Sequence, residues 1–205
     1  MVCYGFKGGI GSASRVGHSE VLGRRVTIAG LVLANFGRRA DLRVYGCPVG
    51  RFLRDAGVSS PATRGSRPAG SSDPSGRPHG PDGSVIVLLA TDAPLTSRQL
   101  TRVARRAAAG LARTGSTHSH GSGDFVLAFS TARAYPPYLA DEGDLIGPFI
   151  AAAADITEEA VIRALLAGRP MTGRDGHRVE SLTAADLRQA RAAWEAAGDE
   201  WPITP

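Results

Sequence analysis

The sequence has few of the residues that mark specialised classes of protein. There are two cysteines, Cys3 and Cys47, and they form no CxxC pair and have no zinc-ligand spacing. Both are expected to pack as small apolar groups, with no reason to expect a disulfide. No apolar run approaches the ~18 residues that cross a bilayer. The first seven residues lack the apolar region of a signal peptide, so the chain as written predicts a cytoplasmic protein with no membrane partner.

Positive charge comes almost entirely from arginine, because Lys7 is the only lysine in a chain of net charge +5. The arginines are scattered in pairs, such as Arg24-Arg25, Arg38-Arg39 and Arg105-Arg106. Aromatic residues make up 6% of the chain and none lies between these pairs. A surface for single-stranded nucleic acid needs such aromatics for stacking. The charge therefore favours solvated faces, and nucleic-acid binding ranks last among the possible functions.

The composition is that of an ordinary globular domain, with 205 residues, 42% of them hydrophobic and 21% charged. Apolar β-branched runs predict buried strands at 26–34, at 84–91 and from Asp124 onwards, and a short strand at 42–45. Helices are predicted from Thr96 or Ser97 to about Arg113, over 148–166 with a break near Asp155, and from Thr183 onwards, where the sequence resembles a capping box. Glycine-rich or polar stretches predict loops at 5–11, 59–83 and 114–123, the second of them mobile.

The most informative loop is 114–124, TGSTHSHGSGD, which leads into a predicted strand. It places Ser122 between two glycines at the mouth of a sheet, where a nucleophile would be accessible. The outer positions are His120 and Asp124, so the G-x-S-x-G signature of a nucleophile elbow is absent. His118 and His120 have no accompanying metal-binding motif. From the residues alone, a catalytic serine and an ordinary glycine-serine loop both remain open.

Five stretches in order resemble a known family. They are YGFKGGIGSASR (4–15), LVLANFG (31–37), ATDAPL (90–95), ARTGS through GSGDF (112–125) and MTGRDGH (171–177). Together they resemble the DmpA-type self-cleaving L-aminopeptidase/D-esterase family, peptidase family S58, from Tyr4 to about His177.

The resemblance implies a precursor that cuts itself between Gly121 and Ser122. The new N-terminal serine is then the nucleophile, and its own α-amino group, with a pKa near 7.7–8.0, serves as base. His118 and His120 are unlikely bases, because they lie on the other side of the cut. The implied function is that of a serine aminopeptidase, which releases N-terminal amino acids from small peptides, amides or esters through an acyl-enzyme.

The resemblance also suggests supporting residues, each of which has a plainer interpretation. Asn35 would stabilise the oxyanion, with Asp92 as the alternative; Asn35 could equally be a turn residue that ends a strand. Thr157 and Glu159 match a Ser/Thr-x-Glu stretch beside the nucleophile, or else form a helix N-terminus with Thr157 as its cap. Tyr4 would help to bind substrate, or would pack among glycines.

The implied fold is α+β, an αββα sandwich resembling that of N-terminal-nucleophile hydrolases and ornithine acetyltransferases. The chain would be one peptidase domain, 1–205, divided by self-cleavage into 1–121 and 122–205. No metal or organic cofactor is implied, and a homo-oligomer of cleaved protomers is expected. Family members carry a further segment before the first motif, so an N-terminal part is expected to be missing. Two other functions remain: a truncated, inactive relative that serves as an interaction module, and an acyltransferase, against which Ser122 argues because ornithine acetyltransferases use threonine.

Overall fold

The computed structural model describes residues 1–53, 83–133, 143–173, 176 and 178–198. The predicted loop at 59–83 lies outside these ranges except for Gly83, as do Arg174, Asp175 and His177 of the last family motif. The elements in chain order are β1 Val2–Cys3, β2 Phe6–Lys7, β3 Ile10–Ser19, β4 Arg24–Asn35, a 3₁₀ turn Arg39–Asp41, α1 Val49–Phe52, β5 Ser84–Thr91, α2 Ser97–Ala104, α3 Ala107–Arg113, β6 Phe125–Ser130, α4 Gly143–Leu166, β7 Met171–Thr172, β8 Arg178–Val179 and α5 Ala184–Ala196.

A four-stranded sheet of order β3-β4-β5-β6 forms the centre of the fold. β3 and β4 are antiparallel, as are β4 and β5, whereas β5 and β6 are parallel. The strands predicted at 26–34, at 84–91 and after Asp124 are confirmed as β4, β5 and β6. The parallel pair brings the starts of β5 and β6 to the same end of the sheet, which is the end where Ser122 lies.

Helices cover one face of this sheet, with α4 lying across β3 and β4 and packing against α3. The core between them is built from fully buried side chains, among them Val32, Val87, Leu89, Ile156 and Leu165. Successive strand residues point to opposite faces. The other face therefore carries the alternate apolar residues, Ile10, Leu31, Ile86, Phe125, Leu127 and Phe129, with exposures of 36–71%. The predicted burial of the strands holds for one face only.

Four local predictions are wrong. The loop predicted at 5–11 contains β2 and the first residues of β3. Residues 42–45 are not a strand: Val44 forms a single bridge to Cys47, and the chain reverses at Tyr45 and Gly46, both with positive φ. The predicted helix to Arg113 is divided at 105–106 into α2 and α3. α4 continues through Asp155, so the expected break there does not occur. Thr157 thus lies inside a helix and is not an N-cap.

Other local signals are confirmed. Thr96 caps α2 in a capping box with Gln99, and Thr183 caps α5 in the same way with Asp186. Both cysteines are free and buried. Within the described ranges, no helix combines the length and the apolar character that a membrane crossing needs.

Candidate active site

The loop that carries Ser122 connects α3 to β6 and is fixed at its beginning. Gly115 has φ +99°, and a Cβ atom there would clash with the carbonyl oxygen of Asp41, so both the backbone conformation and the space require glycine. The Arg43 N–H donates to the carbonyl of Thr114 at 2.9 Å. The loop is therefore held against the segment 41–43.

Two backbone hydrogen bonds place Ser122 at the end of the sheet. Its N–H donates to the carbonyl of Ser119 at 2.9 Å, which closes a turn over 119–122. The next N–H, that of Gly123, donates to the carbonyl of Gly83 at 3.2 Å. Ser122 thus lies beside the start of β5, three residues before β6 begins at Phe125.

Ser122 lines a cleft of about 230 Å³. The other lining residues are Phe36, Gly37, Arg38, Asp41, Gly83, Gly115, Ser116, Thr117 and Ser119. The cleft contains one charged pair, in which Arg38 Nε donates to Asp41 Oδ2 at 2.9 Å. The cleft is therefore lined by a serine, a carboxylate and a guanidinium, in a space that suits a small polar molecule.

The hydroxyl of Ser122 has a carboxylate partner that the sequence-based interpretation missed. Ser122 Oγ donates to Asp124 Oδ1 at 2.5 Å. The other oxygen of this carboxylate, Oδ2, lies 3.0 Å from His118 Nδ1. Asp124 directly follows Gly-Ser-Gly and precedes a strand; that position was the available signal.

Asn35 lies at the same end of the sheet as Ser122, but its side chain is engaged elsewhere. It ends β4 opposite Ser84, the first residue of β5, and its Oδ1 accepts from the backbone N–H of Val2 at 2.9 Å. The next residue along, Phe36, lines the cleft. The role of Asn35 as an oxyanion donor stays a prediction, since it needs the side-chain amide to turn towards the cleft.

Asp92 lies at the opposite end of the sheet. It follows β5, an eight-residue strand that starts beside Ser122, which places it roughly 25 Å away. Its Oδ1 accepts from the Thr27 N–H at 2.8 Å, and its Oδ2 pairs with Arg24 at 3.3 Å. Of the two alternatives for the oxyanion site, Asn35 is the nearer.

Tyr4 is fully buried and packs in the core of this structure. Its hydroxyl lies 2.9 Å from Thr114 Oγ1. Because Thr114 Oγ1 gives its one proton to the carbonyl of Leu111, Tyr4 is the donor in this bond. The Tyr4 ring also meets Phe36 edge-on, with centroids 5.2 Å apart. Burial raises the pKa of Tyr4, so its hydroxyl stays protonated.

Thr157 and Glu159 do not line the Ser122 cleft. Thr157 is buried, and its Oγ1 donates to the carbonyl of Ala153 within α4 at 2.7 Å. Glu159 forms ion pairs of 2.7 Å with both Arg15 and Arg163. The hydrogen bond from Arg15 holds the pKa of Glu159 below its usual range. The structure brings neither residue to Ser122, and their catalytic roles stay predictions.

No metal site is evident in the part of the chain that the structure describes: nowhere there do three histidine, cysteine or acidic side chains come together in a way that could hold an ion. At the cleft, the hydroxyl of Ser122 has a carboxylate acceptor in Asp124. Such an arrangement suits acyl transfer by a nucleophilic oxygen.

Comparison with known proteins shows the family of this chain. The model of peptidase family S58 matches residues 1–179. The chain is 43% identical over 196 residues to a beta-peptidyl aminopeptidase of Sphingosinicella microcystinivorans, covering 92% of this chain and 48% of that protein. The chain thus spans about half the length of the relatives it matches.

Solved structures agree on the fold. A Burkholderia sp. beta-aminopeptidase superposes with a TM-score of 0.73 at 39% identity, covering 94% of this chain and 51% of that one. The L-aminopeptidase D-Ala-esterase/amidase of Ochrobactrum anthropi, a prototype for the serine aminopeptidases and a variant of the Ntn-hydrolase fold, superposes with a TM-score of 0.73 at 37% identity over 95% of this chain and 50% of that one. The α+β fold is therefore Ntn-hydrolase-like, as the family resemblance implied, and the chain belongs to peptidase family S58.

Proposed function

We propose that this chain is a self-processing serine aminopeptidase or amidase. It cuts itself between Gly121 and Ser122, giving the pieces 1–121 and 122–205, and then uses Ser122 to release an N-terminal amino acid from a small peptide, amide or ester. The relatives named above are aminopeptidases that act on β-peptidyl substrates or on L-amino-acid and D-alanyl ones. We propose the same substrate class here.

The observation that carries this proposal is the position of Ser122. Ser122 lines the cleft just before β6, and its hydroxyl donates to the Asp124 carboxylate at 2.5 Å. A cut before Ser122 would leave its amine and hydroxyl on one residue at the head of that strand. The amine, with an ordinary pKa near 7.7–8.0, takes the hydroxyl proton as the oxygen attacks the substrate carbonyl. Water then hydrolyses the acyl-enzyme.

Recognition of an amino-terminal substrate requires a negative group near the nucleophile. Asp41 supports this role, because its carboxylate lines the same cleft as Ser122 and is one-third exposed. A substrate ammonium would pair with it alongside Arg38. Asp41→Asn is expected to raise KM for aminoacyl substrates with a smaller effect on kcat, because the pairing holds in ground state and transition state alike.

The test is hydrolysis of aminoacyl and β-aminoacyl p-nitroanilides by the purified chain. Ser122→Ala is expected to abolish the activity, since no other atom replaces the nucleophile. Ser119→Ala is the matched control, because Ser119 lines the same cleft and its structural bond to Ser122 comes from its backbone. Activity retained in Ser122→Ala, or lost equally in Ser119→Ala, would overturn the assignment.

Assembly and location extend this proposal. We propose that cleaved protomers form a homo-oligomer, as the family resemblance implies, and that the protein is cytoplasmic. Light scattering of the processed protein measures the oligomeric state, and fractionation of the source cells measures the location. A processed monomer would contradict the proposed assembly.

A further inference from the structure

Asp124 holds two groups at once from its position just before β6. Its Oδ1 accepts from the hydroxyl of Ser122 at 2.5 Å, and its Oδ2 lies 3.0 Å from His118 Nδ1. The Asp124 side chain is 19% exposed, whereas that of His118 is 37% exposed. The carboxylate is thus largely shielded and aimed at the serine by a fixed partner.

His118 is itself anchored on both sides. Its second ring nitrogen, Nε2, lies 3.3 Å from the carbonyl oxygen of Ala108 in α3. Its backbone has φ +49°, which is uncommon for a residue with a side chain. The ring therefore bridges α3 to Asp124; it donates to one acceptor when neutral and to both when protonated. This bridge fixes which carboxylate oxygen faces Ser122.

We propose that Asp124 is the general base of the self-cleavage step, and that His118 is a positioning residue that orients it. The proposal rests on the self-processing function given above. Before the cut, Ser122 has no free amine, because its nitrogen is part of the Gly121–Ser122 peptide bond. The amine that serves later turnovers is thus absent when the first reaction takes place, and another group must take the hydroxyl proton.

Self-cleavage needs only these groups and a water molecule. Ser122 Oγ adds to the carbonyl carbon of Gly121 while its proton passes to Asp124 Oδ1. The same proton then moves to the nitrogen of Ser122 as the carbon–nitrogen bond breaks. An ester links Gly121 to Ser122 Oγ, and the amine is free. Water hydrolyses the ester, which leaves a carboxylate on Gly121 and restores the hydroxyl. The observed contact already lies within the reach that a general base needs.

Two other candidate carboxylates are held by arginines and show no bond to Ser122. Asp41 lines the cleft but accepts from Arg38 at 2.9 Å. Glu159 is held by two arginines on α4 and β3. Asp124 is the carboxylate whose bond to the Ser122 hydroxyl is observed. Asp124 also belongs to the same piece as Ser122 after the cut. His118 belongs to the other piece, so its expected role is in processing, while the chain is still whole.

The experiment labels the chains during cell-free synthesis and then follows, over a chase, the conversion of whole chain into the two pieces. Asp124→Asn keeps the size and the Oδ1 acceptor but removes the basicity, and is expected to slow cleavage by about 100-fold or more. Glu195→Gln, the same change of acid to amide in an exposed ion pair with Arg191 outside the cleft, is expected to cleave at the wild-type rate. His118→Ala is expected to slow cleavage less than Asp124→Asn, and His118→Asn to recover part of the rate, because its amide can donate where Nδ1 does.

Chemical rescue separates a lost base from a lost fold. Asp124→Ala leaves space for formate, which can act as the missing base. A cooperative melt shows that this variant is folded, and added formate is then expected to restore cleavage. Cleavage of Asp124→Asn within threefold of wild type, or folded Asp124→Ala that formate does not rescue, would overturn the assignment while leaving self-processing intact. A wild-type chain that never cleaves would instead refute the proposed function, and this inference with it.

Discussion

A buried hydrogen bond of 2.9 Å joins the hydroxyl of Tyr4 to Thr114 Oγ1 across 110 positions of sequence. Tyr4 lies in the turn between β1 and β2, and Thr114 begins the loop that leads to Ser122. The first turn of the chain is thereby bonded to the start of the loop that carries Ser122. The two residues belong to two different family motifs, so the bond gives one residue of each motif a structural role.

Replacing Tyr4 by phenylalanine separates this packing role from a role in substrate binding. Tyr4→Phe removes one buried donor and is expected to lower the free energy of unfolding by about 1 kcal/mol. Denaturant titration measures this, and Tyr45→Phe, at a position 69% exposed, is the matched control with little expected change. A rise in KM with unchanged stability would favour the substrate-binding role instead.

The ion pairs of Glu159 predict a pH-dependent contribution to stability. The pKa of Glu159 is lowered, chiefly by Arg15. A lowered pKa stabilises the fold above the unfolded value of about 4.3, and the contribution is lost as pH falls through the lower folded value. The melting temperature of Glu159→Gln is therefore expected to lie below wild type at pH 7, with the gap closing below about pH 4.

Glu195→Gln is the control for this comparison, because Glu195 pairs with Arg191 on an exposed helix face. Such surface pairs contribute little, so no gap that varies with pH is expected there. A gap for Glu159→Gln that widened on acidification would contradict the predicted sign. Since Glu159 is also a candidate catalytic residue, kcat of the same variant tests that second role.

The contact between α3 and α4 predicts unequal effects for two glycine substitutions. A Cβ atom on Gly110 would clash with the carbonyl of Ala154 and lie 2.7 Å from Thr157 Cβ, so Gly110→Ala is expected to destabilise the chain by roughly 1–3 kcal/mol. An added Cβ on Gly147, in α4, would have no atom within 4 Å outside its chain neighbours and the backbone of its own helix. Gly147→Ala is expected to change the stability much less, because the gain in helix propensity is offset by Pro148, which disfavours a Cβ on the residue before it. Equal effects in thermal melts would contradict this packing.

The buried cysteines predict slow alkylation. Cys3 is fully buried, and burial raises the pKa of its thiol to about 12. Burial also raises the pKa of Cys47. Because the thiolate is the reacting species, iodoacetamide at pH 8 is expected to label neither residue in native protein and both after denaturation. Peptide mass spectrometry reads the labels, and native labelling of Cys3 at the denatured rate would show that β1 is not packed as described.

The sequence predicts those parts of the fold that local pattern determines. β4 and β5 follow from runs of apolar β-branched residues, and α5 follows from Thr183 and its capping box. The exposed face of the sheet could not be predicted, because continuous apolar strands carry no sign of which face lacks a partner. The break between α2 and α3 was missed because the apolar pattern continues through it.

For the candidate site, the sequence indicates Ser122 but not the residues that contact it. Ser122 stands out through its glycines and the surrounding motif. Asp124 contacts Ser122, and His118 contacts Asp124, through a loop that is held by Gly115 against residues 41–43, so these contacts do not follow from spacing. Thr157 and Glu159 lie two residues apart on one helix and therefore point in different directions, which only the packing of α4 reveals.

Self-cleavage before Ser122 is the central claim, and intact mass of the purified chain with N-terminal sequencing of its pieces tests it most directly. The expected result is two pieces, one ending at Gly121 and one beginning Ser122-Gly123-Asp124-Phe125, with Ser122→Ala remaining whole. A folded wild-type chain of undivided mass would contradict the claim, and so would a cut in Ser122→Ala at the same bond.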